Sequence, residues 1–295
     1  MLLLNELIRN AIEKAVSEHI SQPWMIESFT DMKEYASHPA AILSNRSFSV
    51  FAKFSNAANG LEQFESEVDG LELLSRLSGV STPPLIGIFS VDNGFVMITE
   101  AVPSVERTSR QWREIGQTLA RIHMVKGIWY GLESNCYFGP LYQDNRPLDD
   151  WATFYIERRV WPRFMGAINS GHMTTNAIHM VEKLISRMAD LCGPSVEPKL
   201  LHGDAQKNNF ITAEAKTYVI DPSVYYGHPE IDLAYIDYFE RVPEDVFIGY
   251  KELLPIDPDF TERRDLWRVY GYLAAVEVEG LMHLDKLVNA VQKYV

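Results

Sequence analysis

Apolar residues recur at positions 4, 7, 8, 11, 12, 15 and 16, with His19 completing the stripe, which is the spacing of one helix face. The chain is therefore expected to open on an amphipathic helix that packs against another element. The period changes at residues 47–54, where Phe48, Val50, Ala52 and Phe54 alternate with Ser49, Phe51 and Lys53 and predict a strand. After the polar break at 56–60, Phe64, Val68, Leu71, Leu74 and Leu77 trace a helix that ends before Pro83-Pro84. Strands are predicted at 85–91 and 95–99, joined by Asp92-Asn93-Gly94. Beyond Pro103 the periodicity is helical at 112–123, 151–165, 176–192 and 266–294. One pair of short strands, 210–212 and 218–220, interrupts it around the polar turn 213–216. The pattern predicts a small, strand-containing lobe followed by a larger helical lobe with one embedded hairpin, meeting across a cleft near residues 100–104.

Composition narrows the class. Of 295 residues, 46% are hydrophobic, enough to offset chain entropy, which excludes a disordered, collagen-like or disulfide-stapled chain. The length suits a two-lobed domain or two modest ones. With 27 Lys and Arg against 40 Asp and Glu the net charge is −13, which argues against nucleic acid as a partner. Cys136 and Cys192 cannot build a disulfide framework and read as reduced thiols of a cytosolic protein. The start, Met1-Leu2-Leu3-Leu4-Asn5-Glu6, carries an acid where a signal peptide would carry cations. No apolar run approaches the roughly 20 residues of a membrane span, so the expectation is a cytoplasmic protein with no membrane partner.

The chemistry concentrates at Leu200-Leu201-His202-Gly203-Asp204 through Asn209, and at Ile220-Asp221-Pro222. In an antiparallel hairpin the start of the first strand lies beside the end of the second, so Asn209 and Asp221 should meet at one mouth, with Asp204 on the loop entering it. Two oxygen ligands for magnesium and a carboxylate that can orient a hydroxyl are what phosphoryl transfer requires. Taken singly these are turn-forming residues; together they point to the transfer site. His202 reads as a brace for the loop rather than a proton carrier. Glu67 falls three residues after Phe64 and four before Leu71, so it projects from the apolar face of its helix and calls for a cation. Lys53 on the preceding strand is the natural partner, either as an ordinary ion pair or as a lysine held against nucleotide phosphates.

Several further segments fall in one order: Phe64-Glu65-Ser66-Glu67-Val68-Asp69-Gly70-Leu71, Ile115-Gly116 with Leu119-Ala120-Arg121-Ile122-His123, Tyr130-Gly131-Leu132, Phe138-Gly139-Pro140, Gln143-Asp144-Asn145, and Asp150-Trp151-Ala152-Thr153-Phe154-Tyr155 with Arg159. With His202-Gly203-Asp204, Asn209 and the run from Ile220 through Ala234, they span about residues 50–240. This set resembles the fructosamine kinase (ketosamine kinase) family, within the aminoglycoside phosphotransferase and protein-kinase-like fold. The resemblance implies an α+β, bilobal fold with a small mixed β-sheet lobe (1–101) and a larger, mainly helical lobe (102–295). It also implies ATP-dependent phosphorylation of a sugar hydroxyl, typically the 3-hydroxyl of a small-molecule or protein-bound ketoamine. In that frame Asp204 resembles the catalytic base, Asn209 and Asp221 the Mg2+ ligands, and Lys53 with Glu67 the phosphate-holding pair. Thr99-Glu100-Ala101-Val102 resembles the hinge, with Glu100 and Val102 at the nucleotide, and Asp232 a buried prop of the catalytic loop. Trp151, Tyr155 and Arg159 either line the acceptor cleft or pack in the core with a surface cation.

Two departures stand out. The family carries a glycine-rich turn before the lysine strand, where bare amides close over phosphates, yet this chain has no glycine before Gly60, so residues 28–47 must serve with Ser, Thr and Asn or not at all. Ala205-Gln206-Lys207-Asn208 replaces a Leu-Trp-Ser-Gly run beside the acceptor. The alternatives are accordingly a kinase of another amine-bearing acceptor, aminoglycoside- or choline-like, and a non-catalytic nucleotide-binding relative.

Overall fold

Helix α1 (Glu6–His19) starts where the Asn5 side chain accepts from the Ile8 amide at 2.8 Å, and it buries Ile8, Ile12, Ala15 and Val16. The structure, a computed structural model, describes residues 5–32 and 38–295; Leu4, the first position of the predicted stripe, lies outside them. The α1 face packs on a five-stranded sheet made of β1 (Ser28–Asp31), β2 (Ala40–Ser44), β3 (Ser49–Ser55), β4 (Leu85–Val91) and β5 (Gly94–Glu100). The strand order is β1-β2-β3-β5-β4 and every pairing is antiparallel. The alternation read in β3 is real: Val50, Ala52 and Phe54 join Ile8, Ile12, Val96 and Ile98 in one apolar core. Residues 28–47, for which no element was expected, supply β1 and β2, with Ser28 opposite Ser44 and Asp31 opposite Ala41. Residues 33–37 of that segment lie outside the described residues. Helix α2 (Gly60–Ser78) follows β3 and ends at Gly79, whose φ of +70° suits a left-handed cap.

The second, larger core gathers the helices. Helix α3 (Ser109–His123) lies against α8 (Asp245–Lys251) at backbone contact: a Cβ on Gly116 would sit 1.9 Å from the Val246 carbonyl, and one on Gly249 2.0 Å from that of Arg113. Helix α4 (Trp151–Tyr155) runs through a π-turn at Ile156–Val160 into α5 (Trp161–Asn169), and α6 (Thr175–Leu191), α7 (Glu230–Tyr235), α9 (Phe260–Glu279) and α10 (Leu284–Gln292) complete the helices used below. The predicted single helix over 266–294 is two, because Gly280 takes φ +90° and ψ −157°, a conformation that breaks the ladder and is open only to glycine. The single expected hairpin is, among the described residues, one of three two-stranded sheets: β6 (Cys136–Phe138) with β7 (Leu141–Gln143), β8 (Lys199–Leu201) with β11 (Tyr225–Gly227), and β9 (Phe210–Thr212) with β10 (Thr217–Val219). The polar turn at 213–216 announced the β9–β10 pair; strands of three residues carry too little alternation of their own to announce the other two.

Trp151, Tyr155 and Arg159 belong to this core and line neither cavity described below. Arg159 is no surface cation: it is fully buried, 4.0 Å from the Tyr225 ring centre, with Nη2 donating to Asn145 at 2.5 Å and Nη1 to the Asp144 carbonyl at 2.8 Å. A planar guanidinium can be neutralised by carbonyls and ring faces where an ammonium could not. Both cysteines are buried free thiols.

Candidate active site

Strand β3 and helix α2 place Lys53 and Glu67 face to face, and the ammonium donates to the two carboxylate oxygens at 2.7 and 2.9 Å. Lys53 is only 3% exposed, and it also pairs with Asp221, which follows β10. Asp221 adopts φ +52°, rare for a residue with a side chain and the kind of local strain that concentrates at functional sites. Burial raises Glu67 to about 8, against the pull of Lys53. Asp221 is lowered: burial works the other way, but the Lys53 charge overrides it. One ammonium thus serves two buried acids: its charge holds Asp221 down, while burial holds Glu67 up.

The loop carrying Asp204 is held from behind. Asp232, fully buried on α7, accepts from the amides of His202 at 2.7 Å and Gly203 at 2.9 Å, and from His123 Nε2 at 3.1 Å. Gly203 turns at φ +81°, and a Cβ there would fall 2.0 Å from the Ser223 carbonyl, so the turn admits no side chain. His202 Nε2 donates to the Ile220 carbonyl at 3.0 Å while Nδ1 accepts from the Asp204 amide at 3.3 Å, which fixes one neutral tautomer. Burial lowers its pKa, in keeping with a brace. Asp232 as a buried prop is likewise what the geometry displays.

Asp204 is partly exposed on the cleft wall. Gln206 Nε2 donates to both its oxygens at 3.2 and 3.1 Å, and Asn209 Nδ2 donates to Oδ2 at 3.1 Å and to the Asp204 carbonyl at 2.8 Å. Burial pushes Asp204 up to about 7; the Gln206 amide resists that and the Asp221 charge adds to it. The hairpin closes as expected, with Phe210 opposite Val219 and the Ile220 amide donating to the Asn209 carbonyl at 3.0 Å.

Two cavities meet at Lys53, Glu67, Asn208 and Asp221. The narrower, about 360 Å³, is walled by Ile42, Phe51, Leu71, Met97, Phe210 and Ile220 and reaches Glu100 and Val102. Its flat apolar walls suit a heteroaromatic ring. The Glu100 carboxylate pairs with His19 Nε2 at 3.0 Å, while the amides of Glu100 and Ala101 bond the Pro84 and Ser49 carbonyls. The Val102 amide has no hydrogen-bond partner among the described residues. The wider cavity, about 620 Å³, holds Asp204 and Asn209 and runs to Tyr137, Leu141, Tyr235, Tyr238 and the Gly271, Ala274, Ala275 and Val278 face of α9. Sequence reading missed that wall, because small and apolar residues at i, i+3, i+4 and i+7 look the same whether they face a core or a cleft. Gln206 was visible only as a departure.

The sequence profile of the fructosamine kinase family matches residues 8–295. The chain belongs to the fructosamine kinase family. It is thereby a phosphotransferase. A probable ketoamine kinase of Pasteurella multocida is 28% identical over 240 residues, covering 80% of this chain and 81% of that protein. A crystal structure of a candidate fructosamine-3-kinase from Haemophilus somnus 129PT superposes with a TM-score of 0.84 at 22% identity, covering 96% of this chain and 97% of that one. The fold extends further: an aminoglycoside phosphotransferase matches with a TM-score of 0.60 at 14% identity over 95% of this chain and 98% of its own. This fructosamine kinase family member accordingly has the α+β, protein-kinase-like fold. Among its described residues no helix is long and apolar enough to cross a membrane.

Proposed function

We propose that this chain transfers the γ-phosphoryl group of ATP to a sugar hydroxyl of a ketoamine, the 3-hydroxyl in the family's usual substrate, with Asp204 as the base. The observation that carries the reading is the position of Asp204 in the wider cavity, next to the Lys53–Asp221 pair where the narrower one begins. The narrower cavity would take the adenine, with Glu100 and Val102 meeting it through backbone groups. Lys53, fixed by Glu67, would bind phosphate oxygens. As the acceptor oxygen attacks the γ-phosphorus, its proton passes to the Asp204 carboxylate and the bond to the ADP oxygen breaks.

The residues present fit a magnesium ion. Asn209 spends its Nδ2 on Asp204, leaving Oδ1 without a hydrogen-bond partner among the described residues, and Asp221 offers a carboxylate. The ion's remaining ligands would come from phosphates and water. When bound, Mg2+ supplies neutralisation of phosphate charge.

The assignment is tested by measuring Mg2+-dependent ATP consumption with ketoamines, aminoglycosides and amino alcohols. Turnover of ketoamines that is lost in Asp204→Ala is the expected result. Aminoglycosides or amino alcohols turned over in preference would overturn the acceptor, and an active Asp204→Ala variant would overturn the base.

A further inference from the structure

Gln206 lies two residues past Asp204 and lines the wider cavity but not the narrower one. A carboxylate only accepts, so the amide turns its NH2 group to Asp204 and leaves Oε1 without a hydrogen-bond partner among the described residues. The two carboxylate oxygens are not equivalent. Oδ2 is shared by Gln206 at 3.1 Å and Asn209 at 3.1 Å, whereas among the described residues Oδ1 is held by Gln206 alone, at 3.2 Å. Asn209 cannot yield readily, because the same Nδ2 is tied to the Asp204 carbonyl at 2.8 Å. An acceptor hydroxyl that donates to Asp204 therefore enters at the open acceptor site of Oδ1, beside Gln206.

The Gln206 amide has two protons. Nε2 stands at nearly equal distance from both carboxylate oxygens, so one proton spans them and the other has no acceptor among the described residues, on the same planar group as the unpartnered Oε1. A donor and an acceptor then stand together one group away from the reacting oxygen, which is the complement of a second hydroxyl on the neighbouring carbon. We infer that Gln206 is a positioning and specificity residue that reads a hydroxyl vicinal to the one phosphorylated. The site so built takes polyol acceptors and disfavours lone hydroxyls such as those of simple amino alcohols. This rests on Asp204 being the base.

The test compares an N-alkyl fructosamine with its analogue lacking the hydroxyl next to the reacting one, in wild type, Gln206→Leu, Gln206→Asn and Asp204→Asn. One neutral hydrogen bond predicts a wild-type preference for the diol of about tenfold in kcat/KM, falling below about threefold in Gln206→Leu. Gln206→Asn, a methylene too short, should restore only part of it. The KM for ATP should stay within about twofold, since Gln206 is absent from the narrower cavity. The inference is overturned if wild type shows no diol preference, if Gln206→Leu keeps it, or if Gln206→Leu loses both acceptors and ATP affinity alike with a lowered Tm. Those results with an inactive Asp204→Asn leave the base reading standing. An active Asp204→Asn, or a wild type that phosphorylates neither compound, removes the reading beneath this one.

Discussion

Replacing Asp204 by Asn should remove activity and stabilise the protein, and the two effects separate by pH. Folding raises this carboxyl from its ordinary 3.8 to about 7, chiefly by burial. The folded state therefore holds the proton more tightly than the unfolded one, and stability is lost as pH climbs from about 4 to about 7. At about 1.4 kcal/mol per pH unit the ceiling is about 4 kcal/mol. The carboxylate is partly exposed, and screening by water reduces that to about 1–2 kcal/mol. Asparagine keeps an acceptor for Gln206 or Asn209 and carries no charge to desolvate. In metal-free buffer at pH 8, Asp204→Asn should melt about 2–4 °C above wild type, and at pH 5 the gain should shrink to about a third. Turnover at pH 8 should fall about 10²- to 10⁴-fold. Calorimetry at the two pH values with a coupled ADP assay reads both. A variant less stable than wild type at pH 8 would refute the burial argument, and a gain equal at both pH values would refute its link to titration.

Lys53→Met leaves Glu67 and Asp221 buried without their cation, so it should cost about 3–5 kcal/mol at neutral pH and weaken ATP binding; chemical denaturation and the KM for ATP check both. That cost should ease on acidification, because burial already raises Glu67 and a buried acid that has lost its cation is neutralised by taking up a proton. Gly203→Ala forces a Cβ to within 2.0 Å of the Ser223 carbonyl, and should cost about 2–4 kcal/mol and displace Asp204, seen as lower Tm and kcat together. Mg2+-ADP at about 100 times its Kd should add about 2.7 kcal/mol of stability; no rise in melting temperature at millimolar nucleotide would exclude a nucleotide site.

Local periodicity reached the elements whose pattern is set by one face against one core. Helices α1 and α2 are legible because each buries one apolar side, strand β3 because its apolar residues alternate even though Lys53 and Ser55 are buried on its other face, and Glu67 was recognisable as the acid on the wrong face. Residues 28–47 were not, since β1 has a mostly exposed pattern and β2 a nearly continuous buried one, and neither alternates. The break at Gly280 was hidden because an isolated glycine inside a helical run is often tolerated, and only packing decides whether the chain bends there.

What this sequence determines by itself is chemistry in order: a lysine on a strand, an acid on the following helix, and Asp204, Asn209 and Asp221 around one hairpin, which local geometry brings to a common mouth. What the tertiary structure decides is everything that depends on partners distant in the chain. Asp221 reaches Lys53 across 168 residues, Asp232 braces a loop some thirty residues before it, and Arg159, readable as a surface cation, finds carbonyls and rings enough to be buried. The cavity wall on α9 belongs to the same class. A side chain's type limits which partners can satisfy it, but the energy of burying it depends on which ones the fold supplies.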